Sequence, residues 1–383
     1  MKEIAIVGAG IGGLTAAHAL RQAGFAVRVF ERAPELRALG AGITMQANAM
    51  EALASLGLAR RVRDAGHVIA RARIASWTGK TLQAIDFEAM DAHLSQQGVA
   101  IHRRRLMEAL AEGLEGILEF GLGVEDITNL DGGVRITFDD KTHRDFEAVI
   151  GCDGLHSAVR RSLFGEEPLR YAGYTSWRGV ASMSSEGMDT VELWGAGLRF
   201  GVVPLAANEV YWFAVAEAPR GAEPTGPVLE HLRATFKGWD PQVLQALNAS
   251  NEADVIATDC LDRTPINTWG EGRVTLLGDA AHPMMPNLGQ GGCQAVESAV
   301  VLGRVLQGTP DVQGALREYE RLRIDRANLF VKRSFDAGRV AQWRNPVARG
   351  LRDMGMRLIP ERIMQKTLME QYGFEGCFEG MGR

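Results

Sequence analysis

The sequence is poor in several things at once. Its 383 residues include only four cysteines, Cys152, Cys260, Cys293 and Cys377, far apart and without a CxxC. That spacing excludes a disulfide framework, a zinc-type cluster and a dithiol redox pair, and it makes a reducing, cytoplasmic compartment the expectation. No run approaches the ~18 uninterrupted apolar residues of a membrane span. The opening MKEIAIVGAG is patterned as a strand, not as a basic region followed by a long apolar one, so no signal peptide is expected. Charge of one sign is not in excess, since 42 basic and 47 acidic residues leave a net −5. This is not the footprint of a nucleic-acid binder, and no nucleic-acid partner is expected. Proline is scarce, with 13 residues and no Gly-X-Y period, which excludes a collagen-like chain. No metal-ligand spacing is present.

What the chain does have is apolar bulk and glycine. A hydrophobic fraction of 46% rules out overall disorder. Its 45 glycines exceed the usual ~7% share, so particular backbone positions must demand them. Residues 3–7 read as a short buried strand, 14–23 as an alanine-rich helix, and 27–30 as a second buried strand. Strand, glycine turn, helix and strand within about 30 residues form a βαβ unit. Gly40–Ile43 reads as a loop and 68–87 as strands. Arg104–Leu114 has Leu106, Leu110 and Leu114 on one helical face, and 117–140 reads as a hairpin around Asp131-Gly132-Gly133. The apolar runs 148–152 and 274–277 look like parallel strands returning to the first sheet. From Tyr171 to about Phe213 aromatic, alternating segments predict a separate, mostly antiparallel sheet. The chain from Gly289 onward is mostly helical in pattern.

Three motifs carry chemistry. Gly8-Ala9-Gly10-Ile11-Gly12-Gly13 is a GxGxxG between a strand and a helix. Gly8 suits a tight turn, Gly10 lets the backbone approach a pyrophosphate, and Gly13 allows close helix–strand packing. Unpaired N–H groups at the helix start suit phosphates. Glu31, 18 residues after Gly13 at the end of the second strand, suits ribose hydroxyls. This motif alone leaves FAD and NAD both open. The second, Cys152-Asp153-Gly154-Leu155-His156-Ser157-Ala158-Val159-Arg160, is a strand–turn–helix in which Asp153 or Ser157 could simply cap the helix. The third runs from Gly278-Asp279-Ala280-Ala281-His282-Pro283 to Gly289-Gln290-Gly291-Gly292-Cys293. Its Asp at a strand end suits a sugar-like hydroxyl, and its glycines entering a helix make a second N–H cradle.

Together, in this order and over nearly the whole chain, the three motifs resemble the FAD fingerprints of the single-component FAD-dependent aromatic hydroxylases. This flavoprotein monooxygenase family includes para-hydroxybenzoate hydroxylase, salicylate hydroxylase, zeaxanthin epoxidase and bacterial FAD-dependent urate hydroxylase. The resemblance implies an α/β fold. A Rossmann-like FAD-binding domain of three-layer type would span 1–70, 98–170 and 270–383, with a helical C-terminus. An inserted, mostly antiparallel β-sheet substrate domain would span 71–97 and 171–269. It implies FAD as cofactor, NADH or NADPH as reductant, and O2 adding at flavin C4a, so that the hydroperoxide hydroxylates a small aromatic or heteroaromatic substrate. The enzyme would be a monomer or homodimer. No second GxGxxG lies between a strand and a helix, so NAD(P)H is expected to bind transiently near the flavin.

Carried over residue by residue, Glu31 would hold the adenosine ribose with Arg32 beside it, and Val124 would meet the adenine through its backbone. Gly40 and Gly42 would border the flavin, with Thr44 alongside, although Ala47 replaces a proline usual in that stretch. Arg103 would reach the cofactor and Asp279 the ribityl chain. The amides of Gly289, Gln290, Gly291, Gly292 and Cys293 would face the flavin pyrimidine edge. Arg199 and Tyr211, on adjacent strands, match a substrate-facing pair of the urate hydroxylase branch. Ser176 and Asn287 depart from that branch, which has an amide and an acid there. Tyr174, Trp177 and Arg178 are further candidates. No catalytic residue is identified, and His282 reads better as a structural loop residue than as a base. Two other readings remain: another flavin oxidoreductase on this fold (epoxidase, reductase or halogenase-like), and a non-catalytic FAD-binding protein. The stretch 317–366 holds 13 basic and 6 acidic residues, best read as solvated helix faces, with a membrane-surface helix as the alternative.

Overall fold

A computed structural model describes residues 3–36, 41–89, 95–206 and 208–373. Gly40 and Cys377 lie outside the described residues. The apolar strand Glu3–Val7 is central to a six-stranded sheet, with Ala148–Gly151 parallel on one side and Ala26–Glu31 parallel on the other. Val274–Leu276 and Leu118–Phe120 extend it, both in parallel. Glu3–Val7, Ala148–Gly151 and Val274–Leu276 are almost wholly buried because both faces of the sheet are covered there. On one face lie the helices Ile11–Gln22 and Gly291–Leu306, so close together that a side chain on Gly303 would stand 2.8 Å from Ala19 Cβ. On the other lies a three-stranded antiparallel meander (Val124–Leu130, Gly133–Phe138, His143–Phe146), whose Phe138 and Phe146 rings stand 4.8 and 5.6 Å from Phe30. Three layers result, with one core running through them.

A second, seven-stranded sheet takes the order Ile256–Asp262, Arg170–Ser182, Glu209–Glu217, Leu198–Pro204, Thr190–Trp194, Arg71–Ser76, Thr81–Asp86. All its pairings are antiparallel except that of Thr190–Trp194 with Arg71–Ser76. Strand alternation divides its residues between two faces. Phe200, Val202, Val210, Trp212 and Ala214 turn toward the helices Val228–Thr235 and Pro241–Asn248 and form a separate core with them. Their neighbours Arg199, Val203, Tyr211, Phe213 and Val215 turn the other way, into a cavity facing the first sheet. The last helices, Val312–Ala341, Pro346–Leu358 and Glu361–Tyr372, run back across both sheets. No helix among the described residues is long and apolar enough to cross a membrane.

Candidate functional site

A cavity of ≈ 540 Å³ lies between the two sheets. Its first wall is made of backbone. Gly8 turns the chain at φ +103, and a Cβ there would meet the Cys152 carbonyl oxygen at 2.5 Å. A Cβ on Gly13 would stand 1.9 Å from the Gly8 carbonyl oxygen, so the helix can approach the strand only as glycine. Gly10 differs from both, because a Cβ there would meet nothing within 4 Å. Its glycine is not required by the protein's own packing; the space beside it is open. Gly10 also starts the helix Ile11–Gln22 without a side-chain cap, so the first N–H groups of that helix have no side-chain partner. The helix Gly291–Leu306 likewise starts uncapped after Gln290, and Gly289, Gly291 and Gly292 line the cavity beside Gly10 and Gly12. Two uncapped helix ends thus point their positive dipole ends at one space.

Asp279 lines the same wall. It is ringed by protein yet open to the cavity, and its carboxylate has no hydrogen-bond partner among the described residues. Burial raises its pKa, and the nearby Arg103 guanidinium pulls the other way. Arg103 starts the helix Arg103–Ala111, donates its backbone N–H to Ala41 O (3.0 Å), and lines the cavity with Gly42 and Thr44. The glycine at Gly42 has a reason the sequence did not show: a Cβ would stand 2.4 Å from Tyr211 Cγ.

The other predicted cofactor residues lie away from this cavity. Glu31 accepts from the backbone N–H groups of Ala9 (3.0 Å) and Ala33 (2.9 Å), so it braces the Gly8–Gly10 turn at the end of its strand. Arg32 is exposed and stands against Gly123, next to Val124. The Gln290 side chain is fully buried and turned away, bonding Asn48, Gln294 and Gln46. Cys293 is buried as well, with its thiol near Thr44 O and Gly289 O and its pKa pushed up to about 12 by burial.

The second motif divides: Cys152, Gly154 and Leu155 line the cavity, while Asp153 and Arg160 hold the scaffold beside it. Asp153 caps the helix Ala158–Phe164, accepting from Ser157 Oγ (2.5 Å) and the N–H groups of Ala158 (2.6 Å) and Val159 (3.2 Å). Arg160 donates to the carbonyls of Ala280 (3.0 Å) and Ala281 (3.2 Å), clamping the turn that carries Asp279. His282 is buried against Trp269, its Nε2 3.3 Å from Ser298 Oγ, and its pKa is pulled down to about 3 by burial and then by Arg323. It is neutral and does not line the cavity.

The second wall is made of side chains. Arg199 is buried rather than displayed on the surface. It donates to Glu192 Oε1 (3.2 Å) and Asn287 Oδ1 (2.7 Å), while its Nε has no partner among the described residues. Asn287 in turn donates to Tyr174 Oη (2.8 Å) and Ser334 O (2.7 Å). Tyr211 is enclosed, and burial raises its pKa, so its phenol is a hydrogen-bond donor and not a base at neutral pH. Arg178 and Ser176 line the wall too, but Trp177, between them, packs into the core behind. Glu192 was not singled out from the sequence. Its signal was the alternation in TVELW, where Val191 and Leu193 are core. Thr258, Asp259 and Cys260 line it as well, and the apolar part of the lining is Val203, Phe213, Val215, Leu261, Met284 and Met285.

A groove with two uncapped helix ends, a carboxylate without a partner among the described residues and a second wall of mixed polar and apolar side chains suits a dinucleotide cofactor with a smaller ligand beside it. Residues 1–334 match a family of FAD binding domains. The chain is 42% identical to an aurachin C monooxygenase/isomerase of Stigmatella aurantiaca, covering 95% of this chain and 96% of that one. It is 33% identical to a 2-heptyl-3-hydroxy-4(1H)-quinolone synthase of Pseudomonas aeruginosa over 98% of both. Klebsiella pneumoniae HpxO, crystallised with FAD and uric acid, superposes with a TM-score of 0.91 at 28% identity, covering 97% of this chain and 96% of that one. The chain belongs to the FAD-dependent aromatic hydroxylase family. It is an enzyme, a monooxygenase with FAD as cofactor and NAD(P)H as reductant.

Proposed function

We propose that the enzyme hydroxylates a bicyclic N-heteroaromatic of the 4(1H)-quinolone type carrying an apolar substituent, with O2 as co-substrate. The observation that carries this is the second wall: the buried Arg199, its Nε without a partner among the described residues, stands with Arg178, Glu192 and Asn287 on a wall that also presents an apolar stretch of Val203, Phe213, Met284 and Met285. A ring with one anionic or enolic oxygen and an apolar edge suits that wall. A purine such as urate, polar all round, would leave hydrogen-bonding groups facing Val203, Phe213, Met284 and Met285 without partners. The quinolone synthase and the aurachin C monooxygenase among the relatives support the same choice.

In this reading Glu31, Arg32 and Val124 attend the adenosine end. The N–H groups after Gly10 take the pyrophosphate, Asp279 the ribityl hydroxyls, and the backbone at Gly289–Gly292 the flavin edge. Bound there and reduced by NAD(P)H, FAD supplies the activated oxygen atom. The protein orients and dries the site. Arg199 holds the substrate oxygen and favours its ionised form, and Tyr211 donates a hydrogen bond from the flavin side. The apolar stretch of Val203, Phe213, Met284 and Met285 limits water beside the cofactor, which protects the activated oxygen from wasteful decay. The cofactor-binding part corresponds to residues 1–70, 98–170 and 270–383, the substrate-binding part to 71–97 and 171–269, and the enzyme works in the cytoplasm.

The test is O2 and NAD(P)H consumption by the flavin-loaded enzyme with a 2-alkyl-4(1H)-quinolone, urate or salicylate, with labelled dioxygen and mass spectrometry of the product. Label in the quinolone, with faster NAD(P)H oxidation, is expected. Stimulation and labelling with urate and not the quinolone would overturn the substrate class.

A further inference from the structure

The helix Pro346–Leu358 is built inside out. Val347, Leu351, Met354 and Leu358 recur at the spacing of one helical face, and all four are between 52% and 70% exposed. The buried side of the helix carries Arg352, which donates to the carbonyls of Val340 (3.2 Å) and Ala341 (3.0 Å) and stands 4.9 Å from the Trp194 ring centroid. Folding alone would place leucine inward and arginine outward, because an exposed Leu forfeits the gain of burying its apolar surface. Trp343, Ile359 and Ile363 extend the exposed apolar patch on either side of the helix. The expectation of solvated helix faces therefore does not describe this helix.

The charge around the patch is one-sided. Residues 339–366 hold seven basic and two acidic residues, in a chain whose net charge is −5. Arg357, Arg362 and Lys366 are exposed beside the apolar row. We propose that Trp343–Lys366 is a membrane-surface element that lies on an anionic lipid bilayer. The apolar row enters the acyl boundary, the tryptophan sits at headgroup level, and the three cations meet lipid phosphates. At 13 residues the helix is ~20 Å long, short of a ~30 Å hydrocarbon core, so it lies in the plane of the interface. A second copy of the chain is a poorer occupant. A two-fold contact through this face would bring two copies of the same net-positive patch together. The helix packs on the strand Thr81–Asp86 of the second sheet, so docking would hold the edge of that sheet at the bilayer. This inference does not depend on the identity of the substrate.

Co-sedimentation of the full-length, FAD-loaded enzyme with vesicles tests it. Phosphatidylcholine vesicles containing phosphatidylglycerol should bind at least ~10-fold more protein than phosphatidylcholine alone, and less as salt rises. The L351E/L358E variant should lose binding while keeping its flavin absorbance and its NAD(P)H oxidation rate. If that variant fails to load flavin, R357E/K366E serves instead, with the same loss expected. Absence of binding to either vesicle, or equal binding to both, overturns the proposal. So does a lipid-independent dimer that L351E/L358E converts to monomer.

Discussion

The two walls of the cavity differ in which part of the chain they use. The wall around Gly10, Asp279 and Gly291 presents chiefly backbone, with Asp279 and Arg103 as its charged side chains. The wall around Arg199 and Tyr211 presents side chains carried on strands. A backbone wall needs glycine wherever a ligand or a neighbouring strand must come close, so it constrains spacing tightly and tolerates little else. A side-chain wall needs only the right residue on the right face, and its strands can change ligand while the fold persists. Substitutions in the two walls should therefore fail in different ways.

The largest effect is expected inside the first wall, and it separates two glycines one turn apart. Gly13→Ala places a methyl 1.9 Å from the Gly8 carbonyl oxygen, which no side-chain movement relieves. A loss of about 3 kcal/mol or more is expected, seen as insoluble or flavin-free protein with a collapsed Tm. Gly10→Ala meets nothing within 4 Å and should fold with nearly unchanged Tm. Its methyl fills the space assigned to the pyrophosphate, so FAD affinity should fall ~100-fold, about 2.7 kcal/mol. If Gly10→Ala binds FAD normally, the open space at Gly10 is not the phosphate cradle.

The second wall should fail without losing cofactor. Arg199→Ala should keep its flavin, yet lower kcat/KM for substrate ~100-fold, about 2.7 kcal/mol, with NAD(P)H oxidation running uncoupled from hydroxylation. Asp279→Ala gives the opposite signature, loss of FAD before loss of turnover per bound flavin. Equal flavin loss in both variants would erase the distinction between the walls.

This contrast also explains what was legible in the sequence. Most of the six-stranded sheet could be read, because Glu3–Val7, Ala148–Gly151 and Val274–Leu276 are short apolar runs each followed by a glycine motif and Ala26–Glu31 completes the βαβ unit; Leu118–Phe120, expected within the hairpin over 117–140, instead pairs in parallel with Ala26–Glu31. Arg199 and Tyr211 could be placed on a sheet, but their burial could not. Whether Arg199 faces water or a cavity depends on the strands Thr190–Trp194 and Arg71–Ser76 pairing beyond it, and on Asn287 arriving from 88 residues away. The bracing role of Glu31 and the clamp from Arg160 to Ala280 and Ala281 were hidden for the same reason: both are contacts between distant segments, and the sequence displays the residue types alone. The outward apolar face of Pro346–Leu358 was obscured differently. Its periodicity is visible, but which side packs is decided by Arg352 finding two carbonyls and a tryptophan.

A smaller effect is expected from the support behind the backbone wall. His282 has a folded pKa of about 3 against an ordinary 6.5, because burial and then Arg323 oppose its charge. The unfolded chain takes up a proton below pH 6.5 that the folded chain refuses. Stability is therefore complete above about pH 6.5 and declines as pH falls toward 3, by about 1.4 kcal/mol per unit from this group. Urea midpoints at pH 6.5 and 5 should show His282→Gln with a shallower decline than the parent enzyme. An unchanged slope would show that His282 is protonated in the folded state.

The smallest effect belongs to Cys293, and it tests whether the first wall is truly a backbone wall. Its thiol, with a pKa near 12, stays protonated and is turned toward Thr44 O and Gly289 O instead of the cavity. A thiolate is needed for nucleophilic or redox chemistry, and burial withholds it here. Cys293→Ser keeps a donor at the same place at a cost of about 1 kcal/mol in stability, since the hydroxyl is more costly to bury. Flavin content and hydroxylation should stay within ~3-fold of the parent enzyme, because the change leaves the amides of Gly289–Gly292 where they are. A large loss of hydroxylation with flavin retained would mean that a side chain in this wall takes part in the chemistry. The division of labour between backbone and side chain would then fail at a thiol set behind the first wall.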